Sequence, residues 1–180
     1  IGCLYVEAPN VMEQLEEYVE PGLAKAGLSF VVKEPYRLSD KEFRDKILKL
    51  RSADLTHLLV IGYGFLYPNI FREMKDQQFL GKVQIVGGWG FLYPNVAPEE
   101  LEGVVVVGPK YVFSGTEQVR GVYNSFKEKF GYEANFDAAM TYAGMQLLAF
   151  AMSEVDKNKA LSFRDVFNGT ATVNTLLGNV

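Results

Sequence analysis

The chain has 180 residues, 48% hydrophobic and 22% charged, a composition that fits one globular domain or two small ones and excludes a disordered tail or a collagen-like rod. Its net charge of −4 is spread without a block of one sign, so a phosphate-neutralising surface for nucleic acid or anionic membrane is not expected. A single cysteine, Cys3, allows no internal disulfide, and a single histidine leaves too few parts for a triad or a histidine-based metal site.

Ile1–Val6 (IGCLYV) reads as a buried strand, with no leader or cap before it, so the chain is expected to be a piece of a longer precursor. After Pro9 and Asn10, apolar residues recur at Val11, Met12, Leu15, Tyr18, Val19 and Leu23 with the period of a helix lying on a sheet. Ser29–Lys33 is the second strand, and Ser39 with Glu42 forms a capping box for a helix bearing Phe43, Ile47 and Leu50. His57–Ile61 is the third strand. Pro68–Asn69 starts a helix that runs over Ile70–Phe79 and stops at Gly81. Lys82–Val86 and Gly103–Val107 are strands four and five. Thr116–Phe130 is a helix with Val119, Val122, Tyr123, Phe126 and Phe130 inward, and Phe136–Val155 is a second, longer one. Apolar runs such as Leu58–Ile61 and Val104–Val107 are too short to span a bilayer.

Unbroken apolar strands alternating with amphipathic helices predict an α/β fold: a doubly wound, mainly parallel sheet of about five strands with helices on both faces. Any ligand then belongs at the carboxyl ends of the strands, in the loops Glu7–Asn10, Gly62–Asn69 and Gly87–Asn95. Two of these loops carry nearly the same peptide, GYGFLYPNI at Gly62–Ile70 and GWGFLYPNV at Gly88–Val96. The glycines are free to take φ > 0 and to bring backbone close to a ligand. Tyr63, Phe65, Tyr67, Trp89, Phe91 and Tyr93 become candidate walls of one pocket. Capping the sheet's end, or covering a subunit contact, is the alternative use of such aromatics.

Gly62–Tyr67 begins like a dinucleotide fingerprint, but a tyrosine stands where the third glycine belongs. No Walker A sequence, HExxH, paired cysteines or GxSxG elbow occurs, so no catalytic residue, cofactor or metal is expected. His57 suits a structural or surface role, Asp40, Glu42 and Asp45 a solvated helix start, and Asn168–Thr170 matches a glycosylation acceptor short enough to arise by chance.

The order of units resembles the carboxyl-terminal lobe of type I periplasmic solute-binding proteins, the leucine/isoleucine/valine-binding family that feeds ABC importers. The resemblance rests on PGLAKAG at 21–27, EPYRLSDKEF at 34–43 as a turn before a helix start, the strand within 54–62, FKEKFG at 126–131, and the helix from Phe136 with AAMTY at 138–142 and LLAFA at 147–151. It implies one lobe, residues 1–180, of a two-lobe receptor that closes on a small solute. Ligand contact then falls on Asn10 or Val11, on Gly64 or Phe65, and on Trp89, with Tyr63, Tyr67 and Phe91 beside them. Amino-acid-binding members place an acid near the Trp89 position, and none stands there in this sequence. An aromatic or flat apolar solute, or a quaternary ammonium held by cation–π contacts, suits such a cleft better. The implied partners are the solute, a missing amino-terminal lobe and an ABC permease, in the periplasm or otherwise outside the cytoplasm. A sensor domain, an enzyme acting through cleft tyrosines and Glu7, and a dimerisation module are the rival readings.

Overall fold

The computed structural model describes residues 1–92, 96–108, 117–169, 172–176 and 178–179. The chain divides into two compact units, Ile1–Gly108 and Pro109–Val180.

The first unit is built on a five-stranded, wholly parallel sheet: β1 (Gly2–Val6), β2 (Val32–Tyr36), β3 (His57–Ile61), β4 (Gln84–Gly87) and β5 (Val105–Val106), in the order β2-β1-β3-β4-β5. Every residue of β1 is buried, as a strand covered on both faces requires, and this matches the expected doubly wound architecture. Cys3 lies in that interior, where burial pushes its thiol up to about 12. Such a thiol is inert packing.

Several boundaries differ from the sequence reading, each for a local reason. β2 begins three residues later than expected and includes Pro35, which the pattern marks as a turn. Pro35 sits opposite Tyr5 on an edge strand, where its missing N–H costs no ladder bond on the open side. The first helix is not continuous: α1 (Pro9–Gln14) passes through a π-helical stretch, Leu15–Val19, into α2 (Glu20–Lys25). Pro21 can give no N–H to the preceding turn and crowds it, and the wider turns just before it accommodate the ring. Gly27, at φ +70, ends the helix as Leu28 N–H donates to the Leu23 carbonyl at 2.9 Å.

The Ser39–Glu42 capping box does not form. α3 (Arg44–Ser52) starts after Phe43, and the nearby Asp40 carboxylate accepts the Arg37 N–H at 3.1 Å, closing a turn instead. Phe43, Ile47 and Leu50 are nevertheless fully buried on one face, as their spacing demands. α4 (Tyr67–Asp76) buries Tyr67, Ile70, Phe71 and Met74, and it ends three residues short of Phe79. Gln78 turns left-handed at φ +54, and Phe79 N–H and Leu80 N–H both donate to the Met74 carbonyl. The stop comes before Gly81, and β5 is a two-residue bridge rather than a five-residue strand.

The second unit holds α5 (Glu117–Phe130), α6 (Phe136–Lys157), α7 (Phe163–Gly169) and a hairpin of β6 (Asn174–Thr175) with β7 (Gly178–Asn179). Asn135 caps α6 by accepting the Ala138 N–H at 3.0 Å. Ser162 and Asp165 cap α7 reciprocally, through Asp165 N–H to Ser162 Oγ and Ser162 N–H to Asp165 Oδ2. Val119, Ala139, Ala143 and Leu176 form a small core, with Leu176 N–H held by Gln146 Oε1 at 2.7 Å. Phe130, expected inward, is half exposed and packs on Phe126 and Tyr132. Thr170 of the glycosylation pattern lies outside the described residues.

Candidate functional site

The chain leaves β1 toward β2 on one side and toward β3 on the other, so the sheet reverses its winding between β1 and β3. Adjacent loops at the carboxyl ends part there and leave a crevice. Asn10, in α1 after β1, and Tyr63, just after β3, meet at that point, with the Tyr63 phenol donating to Asn10 Oδ1 at 3.5 Å.

Tyr63 is the hub of an aromatic cluster. Its ring stacks on Phe65 at 6.1 Å with 18° between the planes, and it meets the indole of Trp89, which follows β4, edge to face at 5.6 Å. Phe65 is 60% exposed, and Tyr63 and Trp89 are half-buried, so the three present ring surface to solvent at the rim. Paired rings at such distances hold one another at about 0.5–1.5 kcal/mol beyond their buried area, which gives the wall a set shape. Asn10, Tyr63, Phe65 and Trp89 are thus brought together as the sequence predicts.

The other expected contacts are not side-chain walls. Val11 is fully buried under the sheet, Tyr67 is 1% exposed and Phe91 is 6% exposed, while Gly64 is buried in a 3₁₀ turn with only backbone to offer. Tyr67 belongs to α4's inner face, and Phe91 lies against Tyr67 at 4.3 Å and edge-on to Phe71 at 5.8 Å. Tyr93 lies outside the described residues.

The glycines also work differently from the expectation. Among the described residues those with positive φ are Gly27, Gly81, Gly103 and Gly131, none of them in the twin loops. Close approach is what the loops require. A Cβ on Gly62 would stand 1.9 Å from the Tyr36 hydroxyl, on Gly90 2.3 Å from the Gly62 carbonyl oxygen, and on Gly87 2.0 Å from the Phe91 ring. The two loops interlock through these contacts, closed by the Tyr67 phenol donating to the Gly62 carbonyl at 3.2 Å. Burial pushes the Tyr36 and Tyr67 phenols well above their ordinary range, so both stay neutral donors.

One feature of the rim escapes the sequence reading. Arg37 Nε lies 3.3 Å from Glu7 Oε2, with both side chains largely in water, and this places an ion pair at the ends of β2 and β1. Arg37 looked like part of a turn because β2 had been placed three residues too early. So exposed a pair contributes little to stability. At the other end of the sheet, an open concavity of about 600 Å³ is lined by Lys75, Lys82, Gln84, Glu99 and Glu102, a solvated mixture of charges. Among the described residues no group of three His, Cys, Asp or Glu could hold a metal, and no helix is long and apolar enough to cross a membrane.

A family model described as periplasmic binding protein matches residues 2–180. Comparison with curated proteins finds no match. Among solved structures, a solute-binding protein of an ABC transporter from Rhodopseudomonas palustris BisB5, in complex with 3,4-dihydroxybenzoic acid, superposes with a TM-score of 0.79 at 14% identity, over 99% of this chain and 50% of that one. A leucine-, isoleucine-, valine-, threonine- and alanine-binding protein from Brucella ovis, in its closed conformation, gives 0.78 at 16% identity, over 99% and 47%. A solute-binding protein of an R. palustris ABC transporter, in complex with benzoate, gives 0.77 at 14% identity, over 99% and 49%. The chain therefore spans about half the length of these proteins. At such identities the superpositions establish the fold, and with the family model matching nearly every residue, the chain belongs to the type I periplasmic binding proteins.

Proposed function

We propose that this chain is the solute-binding, carboxyl-terminal part of a two-lobe receptor outside the cytoplasm, that it takes a small aromatic or flat apolar solute, and that it delivers the solute to an ABC permease. The observation that carries this reading is the exposed Tyr63–Phe65–Trp89 wall at the point where the sheet's winding reverses. A flat ring fits against stacked and edge-on rings through broad apolar contact, while Asn10 and the Tyr63 phenol supply polar atoms to orient it. Two similar structures hold benzoate and 3,4-dihydroxybenzoic acid, and this agrees with a ring-bearing solute. No chemical step is proposed, since the wall holds rings and amides and no nucleophile with a paired base.

A single open wall binds weakly. Closing a missing amino-terminal lobe over the solute would remove its second face from water, at about 25 cal/mol per Å² of apolar surface, and each tenfold in affinity takes only about 1.4 kcal/mol. Trp89 is the one tryptophan of the chain, so its fluorescence reports on this wall alone. Titration of the 180-residue chain with benzoate or 3,4-dihydroxybenzoate should change that emission with saturation in the millimolar range, and the two-lobe protein should saturate at concentrations lower by orders of magnitude. No change with either acid, together with a saturating change on leucine, would refute the solute class.

A further inference from the structure

The chemistry of α6 does not match its surroundings. From residue 138 to 153 the helix carries no charged residue. One face is used within its own unit: Ala139 and Ala143 are buried in the small core, and Gln146 holds Leu176. On the opposite side, Thr141, Met145, Leu148 and Met152 follow one another at steps of four, three and four, which aligns them in a single stripe. The stripe faces water, with Met145 59%, Leu148 39% and Met152 52% exposed. Gly144 borders it, and a Cβ there would meet nothing within 4 Å. A helix apolar on both sides belongs in an interior.

A membrane surface is a poor occupant, because an interfacial helix sets Lys and Arg along its polar face and this stretch has neither. The unit's own resources are small. Its buried cluster is four residues, and its described sheet is a hairpin of two-residue strands, whereas a helical layer needs a second layer to cover it. The similar two-lobe structures match 99% of this chain with only 47–50% of their own, so they carry about as much chain again.

We propose that the Thr141–Met145–Leu148–Met152 face of α6 packs on the amino-terminal lobe of the same protein, and that residues 109–180 supply helical cover to that lobe. The proposal rests on the two-lobe reading. Methionine reach and flexibility suit a face that must fill an irregular partner surface.

Methionine oxidation by peroxide, followed residue by residue with mass spectrometry, tests it. In the 180-residue chain Met145 and Met152 should oxidise readily while fully buried Met74 resists; in the two-lobe protein both should slow by about tenfold or more, because access controls the rate. Equal rates in the two proteins would overturn the proposal. So would protection in the 180-residue chain that grows with its concentration, which would assign the face to a second copy. As an independent arm, Met145→Glu with Met152→Glu should lower the melting temperature of the two-lobe protein and leave that of the 180-residue chain unchanged; an equal drop in both would also overturn it. The Trp89 titration separates the two readings. A response to benzoate without methionine protection sinks the docking alone, and protection without a response sinks the solute class alone.

Discussion

The loops Gly62–Ile70 and Gly88–Val96 are nearly the same peptide, yet equivalent residues in them have opposite fates. Phe65 is 60% exposed and Phe91 is 6% exposed. In the first loop, Tyr67 swings back over the sheet end, and its hydroxyl occupies the space beside Gly90. Phe91 then finds Tyr67, Phe71 and the bare backbone of Gly87 to lie against, while Phe65 has only Tyr63 beside it and stays at the surface. The teaching is that a local motif sets what a loop can do, and the neighbouring copy decides which of its side chains becomes core. The first ring of each motif escapes this sorting, since Tyr63 and Trp89 meet each other at the rim.

The largest expected effect separates the two phenylalanines. Phe91→Ala should cost about 3–5 kcal/mol in urea unfolding, as for a large buried ring, whereas Phe65→Ala should stay within about 0.5 kcal/mol and act on solute binding. Equal losses at the two positions would show that the loops are equivalent after all. Next come the glycines. Gly90→Ala drives a methyl against the Gly62 carbonyl, a backbone atom that cannot step aside, and should cost about 3 kcal/mol, while Gly88→Ala, with nothing within 4 Å, should fall within about 0.5 kcal/mol. The same unfolding series reads both. Smaller again is Tyr67→Phe, which leaves the Gly62 carbonyl without its phenol donor and should cost about 1–2 kcal/mol. If Tyr67→Phe is neutral, the interlock is steric only.

The sequence made the architecture legible because its signals are local. The apolar run of β1, the 67-70-71-74 spacing on α4 and the Phe43–Ile47–Leu50 face need no knowledge of neighbours. Errors arose where tertiary context decides. Pro35 reads as a turn unless its strand is known to be an edge, and Ser39 and Glu42 have the spacing of a box although the chain there closes a turn on Asp40. The aromatic wall was legible as a set of rings after the right strands. Which rings face solvent was not, because the exclusion of Tyr67 and Phe91 depends on contacts between two loops distant in sequence. The Ser162–Asp165 cap of α7 was the reverse case, a readable signal passed over.

The central claim, that the Tyr63–Phe65–Trp89 wall receives a ring-bearing solute, is tested most directly by calorimetry of the two-lobe protein against benzoate-type acids, leucine, valine and betaines, with Trp89→Ala and Phe65→Ala alongside. The account predicts that an aromatic acid binds, that each substitution weakens it by about tenfold or more, the worth of one lost ring contact of roughly 1.4 kcal/mol, and that leucine and valine bind poorly. Tight binding of leucine or valine, unchanged by Trp89→Ala, would contradict both the solute and the site.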